Sequence, residues 1–193
     1  MKSDIILSGV GGQGILSIST VLGYGAIKSG LHLKQAEVHG MSQRGGDVSS
    51  NLRISDKEIY SDLIPFGGAD LIISVEPMEA LRYLPKLSKD GWIITNTKPF
   101  ENIPNYPELE KIYAEVKKIK NHILIDADKM AKELGNSRVM NIIMLGASSK
   151  FINIDYSKYE EGIRFIFGKK GEKLVNLNLK ALKMGRDFAD NMN

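Results

Sequence analysis

Short apolar runs alternate along this chain with longer stretches that are apolar on one side only. Ile5-Ile6-Leu7 reads as a buried strand. Residues Ile15 to Ile27 follow, with Ile15, Ile18, Leu22 and Ala26 at helical spacing, and Gly30 is placed to stop that helix. Leu33 to Val38 is a second strand. Asp47 to Ile54 alternates as a half-buried strand, and Ser55 to Glu58 is expected to turn it into a short strand, Ile59-Tyr60, as a hairpin. Ala69 to Val75 is a buried strand. Glu76-Pro77 opens a helix to about Leu84, with proline in the first turn. Trp92 to Thr95 and His122 to Ile125 are further strands, separated by a proline-punctuated loop, Lys98 to Pro107, and a charged helix, Glu108 to Lys120.

Helices complete the chain. One ends at Gly135. The next is expected to be capped by Ser137 and to turn Met140, Ile143, Met144 and Ala147 inward. Ser157-x-x-Glu160 has the form of a capping box. The last helix, from about Gly171, spaces Leu174, Leu177, Ala181, Met184 and Phe188 as a docking stripe. Strand–helix alternation with one hairpin predicts an α/β protein. The expected architecture is a three-layer Rossmann-like sheet, mostly parallel with an antiparallel hairpin, closed by C-terminal helices. Residues 1–193 show no linker or internal repeat and read as a single domain.

Composition narrows the chemistry. The chain has 193 residues, 42% hydrophobic and 25% charged, with a net charge of +3 from 26 basic and 23 acidic residues. That excess is small and scattered, and no stretch interleaves aromatic with basic residues, so a nucleic-acid partner is not expected. Cysteine is absent, which excludes disulfides, thiolate nucleophiles and cysteine-held iron–sulfur clusters on this chain. The histidines are His32, His39 and His122, with no pair at helical metal-ligand spacing, so no metal site is expected. Without a signal peptide or long apolar span, no membrane association is expected and the cytoplasm is the default.

The site is expected where strands end. Gly9-Val10-Gly11-Gly12-Gln13-Gly14 joins the first strand to the first helix; Gly9 and Gly11 are expected to allow a tight reversal, Gly14 to let the helix lie close to the strand, and the helix N-terminus to take an anion. Gly9, Gly11, Gly12, Gln13, Gly14, Glu76 and Asn96 are therefore candidate binding residues for a phosphate or carboxylate, or for a meeting with another protein. A G-x-G-x-x-G turn also occurs with no ligand. Glu37 stands where a dinucleotide fold holds a ribose, or is a solvated strand end. His39 and Arg44 on the loop His39 to Gly46 are candidates for a base and an anion clamp. A locally bonded loop histidine is the alternative for His39. No G-x-S-x-G and no P-loop occurs.

These stretches also carry a resemblance. Gly9 to Gly14 with Glu37-Val38-His39-Gly40-Met41-Ser42-Gln43-Arg44-Gly45-Gly46 resembles the small subunit of indolepyruvate:ferredoxin oxidoreductases. More broadly it is similar to the gamma subunit or domain of the 2-oxoacid:ferredoxin oxidoreductases. The likeness continues through Tyr60 to Pro65, Glu76 to Tyr83, Thr95-Asn96-Thr97 and Asn141 to Ala147. It implies an accessory subunit, inactive alone, of an enzyme that converts a 2-oxoacid and coenzyme A to acyl-CoA, carbon dioxide and reduced ferredoxin, with coenzyme A a candidate ligand of the strand-end residues and His39, Gln43 and Arg44 candidates near the active-site mouth. Thiamine diphosphate, Mg2+ and the iron–sulfur clusters are then expected on a large partner subunit, with ferredoxin met indirectly. The sequence agrees through its lack of cysteine and of a Gly-Asp-Gly signature. An arylpyruvate such as indolepyruvate is the first expectation, with pyruvate, 2-oxoisovalerate and 2-oxoglutarate as alternatives. A self-sufficient NAD(P)-binding oxidoreductase and a self-associating nucleotide-sensing module are the competing readings, and the sequence leaves open a homodimer of the isolated chain.

Overall fold

Strand β1 (Lys2–Val10) is buried along most of its length because it lies inside a sheet covered on both faces. The computed structural model describes residues 1–40, 45–101 and 103–192. The described strands form one six-stranded sheet in the order β2-β3-β1-β4-β5-β6, with β2 at His32–His39, β3 at Asp47–Ser55, β4 at Ala69–Ser74, β5 at Leu87–Asn96 and β6 at His122–Ile125. β1, β4, β5 and β6 pair in parallel, while β3 runs antiparallel to both β1 and β2. A single reversed strand therefore sits between β2 and β1.

Side-chain alternation along β1 feeds two cores. Ile5 and Leu7 join an apolar cluster with helix α1 (Ile15–Lys28) and helix α5 (Met140–Ser148). Ile6 joins a smaller cluster with Ile72, Ile93, Ala80 of helix α2 (Pro77–Arg82) and Val116 of helix α3 (Leu109–Lys117). Helix α4 (Ala127–Glu133) returns the chain to the first face. Helices α6 (Tyr156–Phe167) and α7 (Glu172–Asp190) then close it, α6 packing on α1 and α7 on α5.

Several local expectations are corrected. Ile59-Tyr60 is not a strand, and the hairpin is formed by β2 and β3. The carbonyls of Tyr60, Ser61 and Leu63 are taken by side chains instead: Lys34 donates to Tyr60, and Arg53 to Ser61 and Leu63. β5 begins at Leu87 rather than Trp92, through a register shift opposite Ala69. α2 and α3 stop at Arg82 and Lys117, short of the expected ends. Asp155, not Ser157, caps α6, and Asn136, not Ser137, caps the turn before α5. The buried face of α7 is Val175, Asn178, Ala181, Leu182, Gly185 and Ala189, so only Ala181 of the expected stripe is fully buried. Close crossing with α5 selects this face. A Cβ on Gly146 would lie 2.1 Å from the Leu182 carbonyl oxygen, and one on Gly185 2.0 Å from that of Ile143.

The α6–α7 layer also buries two tyrosine hydroxyls, of Tyr156 and Tyr159, with no partner among the described residues. Burial pushes both hydroxyls up, that of Tyr156 to about 12. The unfolded chain releases these protons from roughly pH 10. The folded state holds them, so stability is intact below that pH and is lost as pH rises through the folded values. Tyr156→Phe and Tyr159→Phe are therefore expected to be near neutral at pH 7, where no hydrogen bond is lost. Each is expected to flatten the alkaline loss by up to ~1.4 kcal/mol per pH unit. Urea unfolding at neutral pH and at pH ~11 measures this, and equal alkaline loss in wild type and double variant would contradict it.

Candidate functional site

The helices of the carboxyl-end crest differ in how their N-termini are finished. Glu76 caps α2, its Oε2 accepting from the Glu79 amide at 2.8 Å, and Asp126 caps α4, its Oδ1 accepting from Lys129 at 2.8 Å. α1 has Gly14 at this position and no side-chain cap or first-turn acid. Among the described residues the amides of Gly12, Gly14, Ile15 and Leu16 find no acceptor. They form an electropositive row at the positive end of the longer helix dipole.

The turn before α1 is held from three sides. Gly11 N donates to the Gly46 carbonyl at 2.9 Å, at the start of the reversed strand. Gln13 Oε1 accepts from Val10 N at 2.8 Å, and its Nε2 donates to the Val75 carbonyl at 3.4 Å. Asn141 Nδ2, from α5, donates to the Gly14 carbonyl at 3.0 Å. The glycines do their work differently from the sequence expectation. The left-handed residues are Gly12 (φ 101) and Gly14 (φ 81), not Gly9 and Gly11. Gly9 makes room for Val75 and Gln13, and Gly14 lies against Asn141 rather than the strand.

Beside this turn opens a cleft of about 690 Å3, lined by Val10, Gly11, Gly12, Gly14, Ile15, Leu16, Ser17, His39, Gly40 and Val48. Its position follows from topology. β1 pairs Val10 with Asp47, and β2 pairs His39 with Val48, so the reversed strand carries the loop after His39 back to the glycine turn. The open side therefore lies over β1, β3 and β2. The crevice between the ends of β1 and β4, where an open α/β sheet usually takes its ligand, is bridged by Gln13. His39 reaches the cleft with its imidazole half-exposed and its Nε2 3.2 Å from Glu37 Oε2. Glu37 is further held by Gln35 at 2.5 Å. The expected ribose carboxylate is thus engaged along its own strand.

Of the other expected site residues, Gly11, Gly12, Gly14 and His39 line the cleft. Gln13 faces inward, and Gly9 is packed beneath. Gln43 and Arg44 lie outside the described residues. Glu76 and Asn96, expected beside the glycine turn in one binding site, do not line the cleft. Both are fully buried. Glu76 Oε1 accepts from the Tyr106 hydroxyl and from Phe100 N at 3.3 Å, so it ties down the loop Lys98 to Pro107. Asn96 donates to Asp128 Oδ2 at 2.8 Å and to the Val75 carbonyl at 3.3 Å, and accepts from Ala127 N at 3.2 Å. Sequence reasoning gave no role to Asn141, Leu16, Ser17 or Val48. A buried amide heading the apolar run Ile142 to Leu145 was the available signal for Asn141.

Chemically the cleft offers bare amides, one imidazole and apolar walls of Val10, Ile15, Leu16 and Val48. Ser17 and His39 also line it, with no hydrogen bond between hydroxyl and imidazole. The described residues hold no cluster of His, Asp and Glu arranged for a metal ion, and no helix long and apolar enough to cross a membrane.

The sequence profile described as pyruvate ferredoxin/flavodoxin oxidoreductase matches residues 4–188. The chain belongs to that family. Within it, the chain is 38% identical to indolepyruvate oxidoreductase subunit IorB of Archaeoglobus fulgidus, over 98% of this chain and 96% of that one. In structure it is similar to the 2-oxoglutarate:ferredoxin oxidoreductase of Magnetococcus marinus, with a TM-score of 0.80 at 22% identity. That likeness covers 100% of this chain and 32% of the other, whose structure has 2-oxoglutarate, coenzyme A and succinyl-CoA bound. The keto/oxoacid ferredoxin oxidoreductase gamma subunit of Geobacter sulfurreducens matches at a TM-score of 0.70 and 24% identity, over 97% and 98% of the two chains. The two structural likenesses establish the fold, a mostly parallel α/β sheet with one reversed strand, which agrees with the sequence expectation.

Proposed function

We propose that this chain is the accessory subunit of an indolepyruvate-type 2-oxoacid:ferredoxin oxidoreductase and is inactive alone. The whole enzyme would take an arylpyruvate, coenzyme A and two oxidised ferredoxins to acyl-CoA, carbon dioxide, a proton and two reduced ferredoxins. Thiamine diphosphate, Mg2+ and iron–sulfur clusters would belong to a large partner subunit, for which the absence of cysteine here is support. When bound there, they supply the decarboxylation and the electron path.

The observation that carries the reading is the cleft: uncapped amides beneath apolar walls, in a chain aligned nearly end to end with a subunit named for indolepyruvate oxidation. That combination suits a phosphate joined to a less polar body, as in coenzyme A. The amides of Gly12, Gly14, Ile15 and Leu16 would bind a phosphate. His39 would stand at the rim, where an imidazole can donate to it or hold a proton. An NAD(P)-dependent reading gains nothing from the geometry, since Gln13 bridges the β1–β4 crevice.

Purifying the tagged chain from its source cells without oxygen tests this. The expected result is a stoichiometric large partner carrying thiamine diphosphate and iron–sulfur clusters. A chain that purifies alone and binds NAD or NADP would overturn the proposal.

A further inference from the structure

We infer that Gln13 is a positioning residue. By bridging the glycine turn to the end of strand β4, it fixes the direction in which the amides of Gly12, Gly14, Ile15 and Leu16 present themselves to the cleft. The inference rests on the reading of the cleft as the coenzyme A site.

The argument starts from the sheet. In an open α/β sheet the crevice between strands whose crossovers leave on opposite faces is the usual ligand position. Here that crevice lies between β1, whose helix α1 packs on one face, and β4, whose helix α2 packs on the other. The Gln13 side chain occupies it. Its Oε1 accepts from Val10 N at 2.8 Å, and its Nε2 reaches the Val75 carbonyl at 3.4 Å. Gly9 makes this fit: a Cβ there would lie 2.3 Å from Val75 Cγ2 and 3.0 Å from Gln13 Oε1. The Val75 carbonyl is itself shared with Asn96 Nδ2 at 3.3 Å, and Asn96 is fixed by Asp128 and Ala127 N. Gln13 thus anchors a turn containing two left-handed glycines to the buried frame of β4, β5 and α4. Such a turn has many other conformations when unanchored. Gln13 does not itself line the cleft, so it acts through the backbone it holds.

The test uses the complex of this chain with its large partner. Gln13→Ala removes both hydrogen bonds. Gln13→Met removes them while keeping the bulk, and decides the question if the alanine variant does not fold. Both are expected to raise the KM for coenzyme A by about tenfold, equivalent to ~1.4 kcal/mol. The 2-oxoacid KM, kcat and complex yield are expected to stay within about twofold. A third variant, Leu16→Glu, places a carboxylate on an exposed cleft position and is expected to raise the coenzyme A KM by charge repulsion. If Leu16→Glu raises that KM while both Gln13 variants leave it unchanged, the positioning role is overturned and the cleft reading stands. If all three leave it unchanged, the cleft reading falls, and the positioning role with it. If the Gln13 variants lower kcat and raise both KM values alike, Gln13 is merely structural and the inference is overturned.

Discussion

Gly185→Ala is expected to lower stability by about 3 kcal/mol or more, at the upper end for an overpacked core position. The added methyl would lie 2.0 Å from the Ile143 carbonyl oxygen, 2.8 Å from its carbon and 2.9 Å from Ala147 N. All three are backbone atoms, so no side-chain rotation relieves the overlap. α5 and α7 must separate, and Leu182, Ala181 and Ile143 lose contacts. The ordinary gain of about 1 kcal/mol from replacing a helical glycine by alanine is overwhelmed. For a chain of this size the loss corresponds to a fall in Tm of roughly 6–12 °C. Gly146→Ala is expected to act similarly against the Leu182 carbonyl. The double variant is expected to cost less than the sum, because one separation of the helices relieves both clashes. Thermal unfolding followed by circular dichroism measures this, and an unchanged Tm for Gly185→Ala would contradict the packing.

Glu76→Ala is expected to cost about 3 kcal/mol and to release the loop Lys98 to Pro107. The fully buried carboxylate accepts from Glu79 N, Phe100 N and the Tyr106 hydroxyl. Removing it takes away the cap of α2, worth ~1 kcal/mol, and strands buried donors at ~1–3 kcal/mol each. The energy of keeping a charge buried is recovered in part, which holds the net below the sum. Glu76→Gln keeps an acceptor for Glu79 N and a group able to meet the tyrosine hydroxyl, so its expected loss is about half as large. Limited proteolysis distinguishes this from general destabilisation. Cleavage within Lys98 to Pro107 should accelerate in Glu76→Ala more than in a variant of matched Tm such as Gly146→Ala. Equal cleavage in the two would contradict the tethering role.

Much of this architecture was legible in the sequence because the strands are continuous apolar runs and most helices carry one apolar face. Where reading failed, a side chain outweighed local pattern. Ile59-Tyr60 has strand-like residues, yet Lys34 and Arg53 satisfy the neighbouring carbonyls from across the sheet. The face of α7 was misread because leucine spacing was followed, while its crossing with α5 is set by Gly185 and Gly146. The glycine turn was legible as a turn, and its Gly12 and Gly14 line the cleft. Glu76 and Asn96 were taken for ligand contacts because strand ends gather polar residues. Strand ends also need caps and tethers, and the residue types are the same. The reversed strand is what places His39 beside the turn, and pairing order cannot be read from the strands one at a time.

The central claim is that this chain completes an enzyme whose chemistry lies elsewhere. It is tested most directly by anaerobic reconstitution of the purified large partner with and without the chain, following ferredoxin reduction at saturating coenzyme A. The account predicts arylpyruvate-dependent reduction only when both are present, with neither alone active. Full activity of the large partner without this chain, or arylpyruvate oxidation by this chain alone, would contradict it.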